Sequence, residues 1–353
     1  MSSGSKENVI VGPDDVILVT GAGGFIGSAV VDALLKRGFQ NVRCLARPSS
    51  DCTQLNAALQ RHQATGATVM TGNLLSAEDC AKAIEGVSVV IHLVAGRGKS
   101  YPACFQNSVV TTRNILDACL GEPAFKRFVN VSSFAVYSNM NLERGDVLDE
   151  SCDVEPNIEA RRDPYVYGKL RQDELVLDYH RKHQIPYVIV RPTLVIGSGK
   201  AGIPAHVGIG TFGVFLHGGG SNRIPFTYVE NCAEAIILAG IVDGVDGEVF
   251  NVVDHDLPSS RDFLKQYKRN VGQFFSLYMP YPIFYLFCLM WEKFSAWSDG
   301  QLPPAFNRRY CAFNWKGHSY SNRHLREMTG WEPAVPMRQA LSLYFAYQKE
   351  VSQ

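Results

Sequence analysis

The stretch Thr20-Gly21-Ala22-Gly23-Gly24-Phe25-Ile26-Gly27 decides how the rest of the chain is read. It follows the apolar run 16–19 and precedes 28–36, where apolar residues recur at helical spacing, so the local order is strand, glycine turn, helix. That order suits a dinucleotide pyrophosphate. Glycines admit the phosphates without Cβ clashes, and the following helix aims unpaired N–H groups and the positive end of its dipole at the anion. Gly21, Gly24 and Gly27 stand three apart with Gly23 extra, a variant of the usual GxGxxG spacing. A bare glycine-rich turn is the competing interpretation, and the flanking strand and helix patterns count against it.

Working outward, 41–45, 67–70, 88–94 and 128–131 read as further strands alternating with helical segments, which predicts a parallel sheet covered on both faces. The expected fold is α/β: a doubly wound parallel Rossmann sheet with a smaller C-terminal substrate-binding subdomain. The expected organisation is a flexible leader over 1–14 and a dinucleotide-binding domain over 15–195 with core returns at about 224–255. The substrate-binding part is then 196–223 and 256–353. Ligands of such sheets sit at the carboxyl ends of the strands, where Asn73, Ala95 and Gly96 fall.

With 353 residues the chain can bury a full core. Lys plus Arg and Asp plus Glu number 34 each, so no charge excess points to nucleic acid. Nine scattered cysteines with no CxxC pair fit a reducing, cytoplasmic setting and argue against a disulfide framework or a zinc site. Residues 1–14 lack the apolar segment of a signal peptide.

An acid at the end of the second strand would bind the ribose hydroxyls of NAD. This chain has Leu45-Ala46-Arg47 there, and Arg47, with Arg43 behind it, suits the 2′-phosphate of NADP; a solvated loop charge is the alternative. NADP is therefore the preferred cofactor, NAD the second choice. His92, inside an apolar strand, reads as a core histidine, and Arg97 and Lys99 as loop charges that could meet an anionic substrate or a phosphate.

Asp163-Pro164-Tyr165-Val166-Tyr167-Gly168-Lys169 predicts a helix capped by Asp163 with Pro164 at its first position. Tyr165 and Lys169 then share one helical face. An ammonium beside a phenol favours the phenolate and makes the tyrosine a usable acid or base, and a serine hydroxyl at a sheet edge can hydrogen-bond a substrate oxygen as charge develops. Taken alone, YxxxK is common by chance.

In combination, TGAGGFIG, HLVAG, SSFAVY, YVYGK, Arg191-Pro192-Thr193, FTYVEN and Gly330-Trp331-Glu332-Pro333 resemble, in this order, the extended short-chain dehydrogenase/reductase family, including its 3β-hydroxysteroid dehydrogenase-like members. The resemblance implies Ser133 as hydrogen-bond donor to the substrate oxygen, Tyr165 as acid/base, Lys169 as pKa tuner and ribose contact, and Asn107 as part of the proton relay. It implies cofactor contacts at Gly21, Gly24, Phe25, Ile26, Gly27, Arg47, Asn73, Leu74, Ala95, Tyr165, Lys169 and Pro192. Three positions depart from the pattern: Asn73 stands where Asp is usual, the ribose acid is absent, and Ser138 follows Tyr137 where Gly is frequent. Phe134 and Ala135 occupy the places where the sugar-nucleotide dehydratases carry Asp-Glu, so dehydration is disfavoured.

The glycine-rich stretch 197–220 is expected to be a mobile flap, with His206 and His217 as candidate substrate contacts. Arg223 matches, weakly, a phosphate-binding arginine of sugar-nucleotide enzymes. Residues 271–291 are strongly apolar and contain Pro280 and Pro282, which should break a helix. A lid over an apolar pocket, a peripheral membrane patch through 271–297 and a true span compete there, in that order. The apolar character points to hydride transfer between nicotinamide and a hydrophobic secondary alcohol or ketone. An NAD-dependent sugar-nucleotide epimerase is the alternative, and a catalytically silent nucleotide-binding regulator the third class. The resemblance further implies a homodimer through helices near 106–120 and 164–183.

Overall fold

The computed structural model describes residues 8–98, 100–211, 213–298, 301 and 306–352. Lys99, one of the two loop charges singled out above, lies outside them. Seven strands form the central sheet: β1 (Val16–Thr20), β2 (Val42–Ala46), β3 (Thr68–Thr71), β4 (Val87–His92), β5 (Arg127–Val131), β6 (Tyr187–Pro192) and β7 (Val249–Val252). Their order across the sheet is β7-β6-β5-β4-β1-β2-β3, with every neighbour parallel. The chain winds outward from β1 in one direction and resumes at β4 in the other, so a crevice opens beyond the carboxyl ends of β1 and β4. This is the expected doubly wound sheet.

Runs such as Ile17-Leu18-Val19 and Val89-Val90-Ile91 are buried throughout because helices cover both faces. One face packs on helices Phe25–Lys36 and Val229–Ile241. The other packs on Ala77–Ile84, Thr111–Cys119 and Pro164–His183. Of the leader expected over 1–14, the described part is packed, not loose. Ile10 N donates to Ile241 O at 2.9 Å, Val9 bridges Val242, and Val11 enters the core, because its apolar side chains cover the end of the Val229–Ile241 helix.

The later motifs act as staples. Trp331 is buried with its indole N–H donated to Asn231 O at 3.0 Å, and the Asn231 amide donates to Asp254 at 2.7 Å and Val335 O at 2.9 Å. These bonds tie the C-terminal segment to the sheet.

Within the stretch expected to be a flap, Gly208–Thr211 pairs antiparallel with Val214–His217, which Ser276–Tyr278 joins in parallel. Gly208 is required there, since a Cβ would sit 2.1 Å from Leu216 O. Pro280 and Pro282 do not break a helix but start one, Tyr281–Trp297: Pro280 is its N-cap and Pro282 lies in the first turn, where a missing N–H costs nothing. That helix packs Phe284 against Trp315, ring centroids 4.1 Å apart, over a small cluster with Cys288 and Cys311. Burying such a ring contributes roughly 1.5–3 kcal/mol. Among the described residues no helix is long and apolar enough to cross a membrane.

Candidate active site

The carboxyl ends of β1, β4, β5 and β6 open onto a cavity of about 460 Å³. Its floor is the glycine turn. Gly21 takes φ +72°, a left-handed conformation that favours glycine, and its carbonyl accepts from Gly24 N at 2.9 Å. A Cβ on Gly27 would fall 2.1 Å from Gly21 O, so the helix can begin this close to the strand only with glycine there. Helix Phe25–Lys36 has Gly24 as N-cap with no capping side chain and no acid in its first turn. Its leading N–H groups are thus left for an anion, and the turn fits a pyrophosphate.

Across the cavity, β5 delivers Ser133. Its hydroxyl oxygen accepts from Ala135 N at 3.2 Å as the chain enters a short turn at Phe134–Val136. Helix Pro164–His183 starts where the sequence predicts, with the Asp163 carboxylate accepting from Tyr165 N (3.0 Å) and Val166 N (3.3 Å). It crosses close to the π-helical turn Gln106–Val110: a Cβ on Gly168 would lie 2.8 Å from Ser108 Oγ, so the glycine of YVYGK sets this approach. Tyr165 and Lys169 then face the cavity together with Ser133, Gly21, Ala95 and Pro192.

Lys169 is 3 % exposed and donates from Nζ to Val131 O at 2.6 Å. Burial pulls its pKa down to about 7, with the Asp173 carboxylate opposing and Arg97 adding to the depression. Burial also pushes the Tyr165 phenol above its ordinary value, against a hydrogen bond with Ser133 and the positive charge of Arg97. The expectation that Lys169 draws the phenol down is therefore corrected: its ammonium is turned to a carbonyl, and burial outweighs the nearby cation.

Beneath the lysine lies a network that the sequence motifs did not single out. Asp173, one turn beyond Lys169, accepts from Asn130 Nδ2 (2.8 Å), Ser132 Oγ (2.9 Å) and Arg191 Nη2 (3.1 Å), all buried. The repeat of 165, 169 and 173 at four-residue intervals, with an arginine in the RPT motif, was the signal available for it. His92 is a core residue as read, held between Thr20 (2.9 Å) and Thr112 (3.0 Å), with burial pushing its pKa down to about 3.

Phe25, Ile26, Arg97 and His206 also line the cavity, as do Phe134, Leu194, Val195, Lys200 and Phe313, the last five unforeseen as contacts. His206 is 6 % exposed, its Nδ1 has no protein partner among the described residues, and burial holds its pKa down at about 3. Other candidates sit elsewhere. His217 shares a hydrogen bond with Ser260 (3.0 Å) and is buried away from the cavity, because hairpin pairing points it at Tyr278. Arg223 donates to Leu257 O (2.7 Å) in a separate depression beside Asp254 and Asn322. Asn107 lies in the π-helical turn and donates to Ala103 O (2.8 Å), away from the cavity wall.

Leu74 is buried in the core, and Asn73 Oδ1 accepts from Leu75 N (3.1 Å) in an Asx turn, which leaves that oxygen one further lone pair for a cofactor contact. Arg43 is spent on the Ala83 and Glu85 carbonyls, at 2.8 Å each, where it closes the helix Ala77–Ile84. Arg47 is exposed just past β2 and does not line the cavity. The segment it opens does reach the glycine turn, where a Cβ on Gly23 would meet Ser50 Cβ at 3.3 Å. The helix Tyr281–Trp297, expected as a lid, contributes nothing to the cavity wall.

Fold and cavity together define a Rossmann-type enzyme that holds a nicotinamide dinucleotide across the strand ends. The chain belongs to the NAD dependent epimerase/dehydratase family, whose model matches residues 17–252. It is 30 % identical to cinnamoyl-CoA reductase 1 of Petunia hybrida over 189 residues, 52 % of this chain and 55 % of that protein, so it spans about half the length of this relative. It is 26 % identical to 2-alkyl-3-oxoalkanoate reductase of Stenotrophomonas maltophilia (strain K279a) over 342 residues, covering 92 % of this chain and 97 % of the relative. The fold matches UDP-glucuronic acid 4-epimerase of Bacillus cereus, solved in complex with NAD, with a TM-score of 0.68 at 21 % identity over 96 % of this chain and 99 % of that one.

Lys169 also links the site to stability. Between about pH 7 and its ordinary value near 10.5, the unfolded chain holds a proton on this amine that the folded chain does not, so this group's contribution to stability rises with pH across that window, while buried thiols such as Cys44 and Cys80, whose pKa burial raises, act in the opposite direction. Urea denaturation at pH 7 and pH 9 should show a change in stability that is more favourable in the native protein than in Lys169→Met.

Proposed function

We propose that the protein is an NADP-preferring oxidoreductase that interconverts a hydrophobic secondary alcohol and its ketone. The observation that carries this reading is the convergence of Ser133, Tyr165 and Lys169 on the cavity floored by the glycine turn, with Phe134, Leu194, Val195 and Phe313 as apolar walls. The bound nicotinamide supplies a hydride to the carbonyl carbon, or accepts one from the carbinol carbon in reverse. Ser133 donates a hydrogen bond to the substrate oxygen, and Tyr165 gives that oxygen its proton during reduction and takes it back during oxidation. Lys169 would contact the ribose of the bound cofactor, and Asp173 favours cationic charge on it in a site where burial opposes charge. The small molecule is the only partner that the chemistry requires. The relatives' printed reductase names support the direction of this reading, and Arg223, the weak match to a phosphate-binding arginine, lies outside the cavity.

Tyr165→Phe should lower turnover about 10²- to 10⁴-fold while cofactor affinity, read by protein fluorescence, stays unchanged. Full turnover in that variant would overturn the mechanism. Turnover of a sugar nucleotide by the native enzyme without net change in nicotinamide absorbance would assign epimerisation instead.

Arg47 supports the choice of NADP, because it is the exposed cation where the second strand ends and no acid stands beside it. NADPH should bind more tightly than NADH, and Arg47→Ala should reduce that preference roughly tenfold. Tighter NADH binding by the native protein refutes the preference.

A homodimer through the helices near 106–120 and 164–183 belongs to the same proposal, supported by Leu120 left exposed at the end of the first of these. Light scattering should give twice the chain mass, and a monomer contradicts it.

A further inference from the structure

Helix Tyr281–Trp297 is apolar on two sides. Its inner side places Phe284, Cys288 and Ser295 against the Trp315 cluster. Its outer side carries Ile283, Leu286, Phe287, Met290, Phe294 and Trp297, spaced so that they fall along one stripe, all exposed, Trp297 by 78 %. At a helical rise the stripe runs roughly 20 Å. The preceding strand extends it. Leu277 pairs in register with Leu216, whose side chain packs against the helix's inner cluster, so Leu277 and Phe275, two residues earlier, lie on the helix side of the small sheet and are exposed. A contiguous apolar surface of this kind is unusual on a protein that meets only water.

The charges around it select the occupant. Helix Tyr281–Trp297 has two charged residues. Glu292 is turned to Arg308, whose Nε donates to it at 2.7 Å. Lys293 is exposed and falls at the edge of the outer stripe, so the stripe carries a cation and no free carboxylate. On the strand's opposite side, Lys268 lies over the Phe274 ring at 4.9 Å and bonds Ser276 at 2.6 Å, and Arg261 lies over the Tyr278 ring at 5.9 Å. A second copy would offer Lys293 another stripe without an acid. An anionic bilayer offers hydrocarbon to the aliphatic residues, an interface to Trp297 and phosphate to Lys293.

We propose that this stripe seats the protein peripherally on an anionic lipid surface, with the helix lying in the interfacial plane and not crossing it. The small cluster beneath the helix adjoins the cavity wall: Trp315 Nε1 donates to Ala205 O at 2.9 Å, next to His206. Docking therefore holds the cavity near the membrane, on the side from which an apolar substrate would arrive. That last consequence rests on the function proposed above; the docking itself does not.

Flotation of the purified full chain with vesicles tests it without reference to cofactor or turnover. The chain should float with phosphatidylcholine vesicles containing phosphatidylglycerol, less with phosphatidylcholine alone, and less again at raised salt. The double variant Leu286→Glu, Met290→Glu should lose flotation by at least about tenfold with an unchanged melting curve, since both side chains are exposed. Lys293→Gln should weaken binding about fivefold. Absence of flotation, equal binding to neutral vesicles, or a dimer in sedimentation that the double variant dissociates would each overturn the proposal.

Discussion

Asp173 is a carboxylate sunk into the carboxyl end of the sheet, and the catalytic side of the molecule is assembled around keeping it there. Burial alone raises its pKa, and Arg191, Ser132 and Lys169 act against that rise. Its three hydrogen bonds join β5, the segment leaving β5, β6 and the Pro164–His183 helix at one point. Removing one member of such a buried set costs about 3–5 kcal/mol, because the remaining charge is left without compensation. The helix can therefore not rotate or slide without breaking the network, and Tyr165 and Lys169 inherit that fixed orientation two turns and one turn away. Arg191 lies over the Tyr137 ring at 4.8 Å, and the Tyr137 hydroxyl donates to Asn251 on β7 at 2.9 Å, which carries the same constraint to the edge of the sheet.

The glycine turn fixes the facing wall by another means. There the constraint is steric: Gly21 and Gly27 are in contact, and the first helical turn keeps its N–H groups unclaimed. A wall of fixed partial positive charge thus faces a wall whose lysine is poised near neutrality. The proposed function uses the first for the cofactor's phosphates and the second for the chemistry. Neither wall needs a mobile element, which accords with the hairpin of 208–217 being a paired part of a small sheet.

What could be read from the residues divides along the same physical line. The alternation of apolar runs, the glycine spacing and the Asp163-Pro164 start depend on nearest neighbours, and they appear where they were read, within a residue or two. Ser133, Tyr165 and Lys169 also meet as expected. The errors arise where a side chain's partner comes from a distant segment. Arg43 is spent on the helix Ala77–Ile84, His217 on Ser260 and Arg223 on Leu257, choices made by tertiary packing that leave no local trace. Proline departs in the opposite direction: at 280 and 282 the sequence predicts a break, yet those two prolines begin the helix, where restricted φ and a missing donor are advantages.

The cavity's outer half shows how apolar walls and one polar group divide the work of selection. Phe134, Leu194, Val195 and Phe313 give a surface whose preference for a ligand scales with buried area, and such surfaces discriminate weakly, at about 10- to 200-fold for a methylene. His206 differs in kind. Held neutral by burial and edge-on to Phe313 at 5.2 Å, it keeps one ring nitrogen without a protein partner in an otherwise apolar wall. A neutral imidazole in that position offers a single hydrogen bond of fixed direction and no charge. It adds selectivity for a polar atom at one place on a hydrophobic ligand without drawing ions into the cavity. Among the described residues that line the cavity, Arg97 and Lys200 are the exposed cations and Lys169 the buried one, so the imidazole adds a polar contact without adding charge.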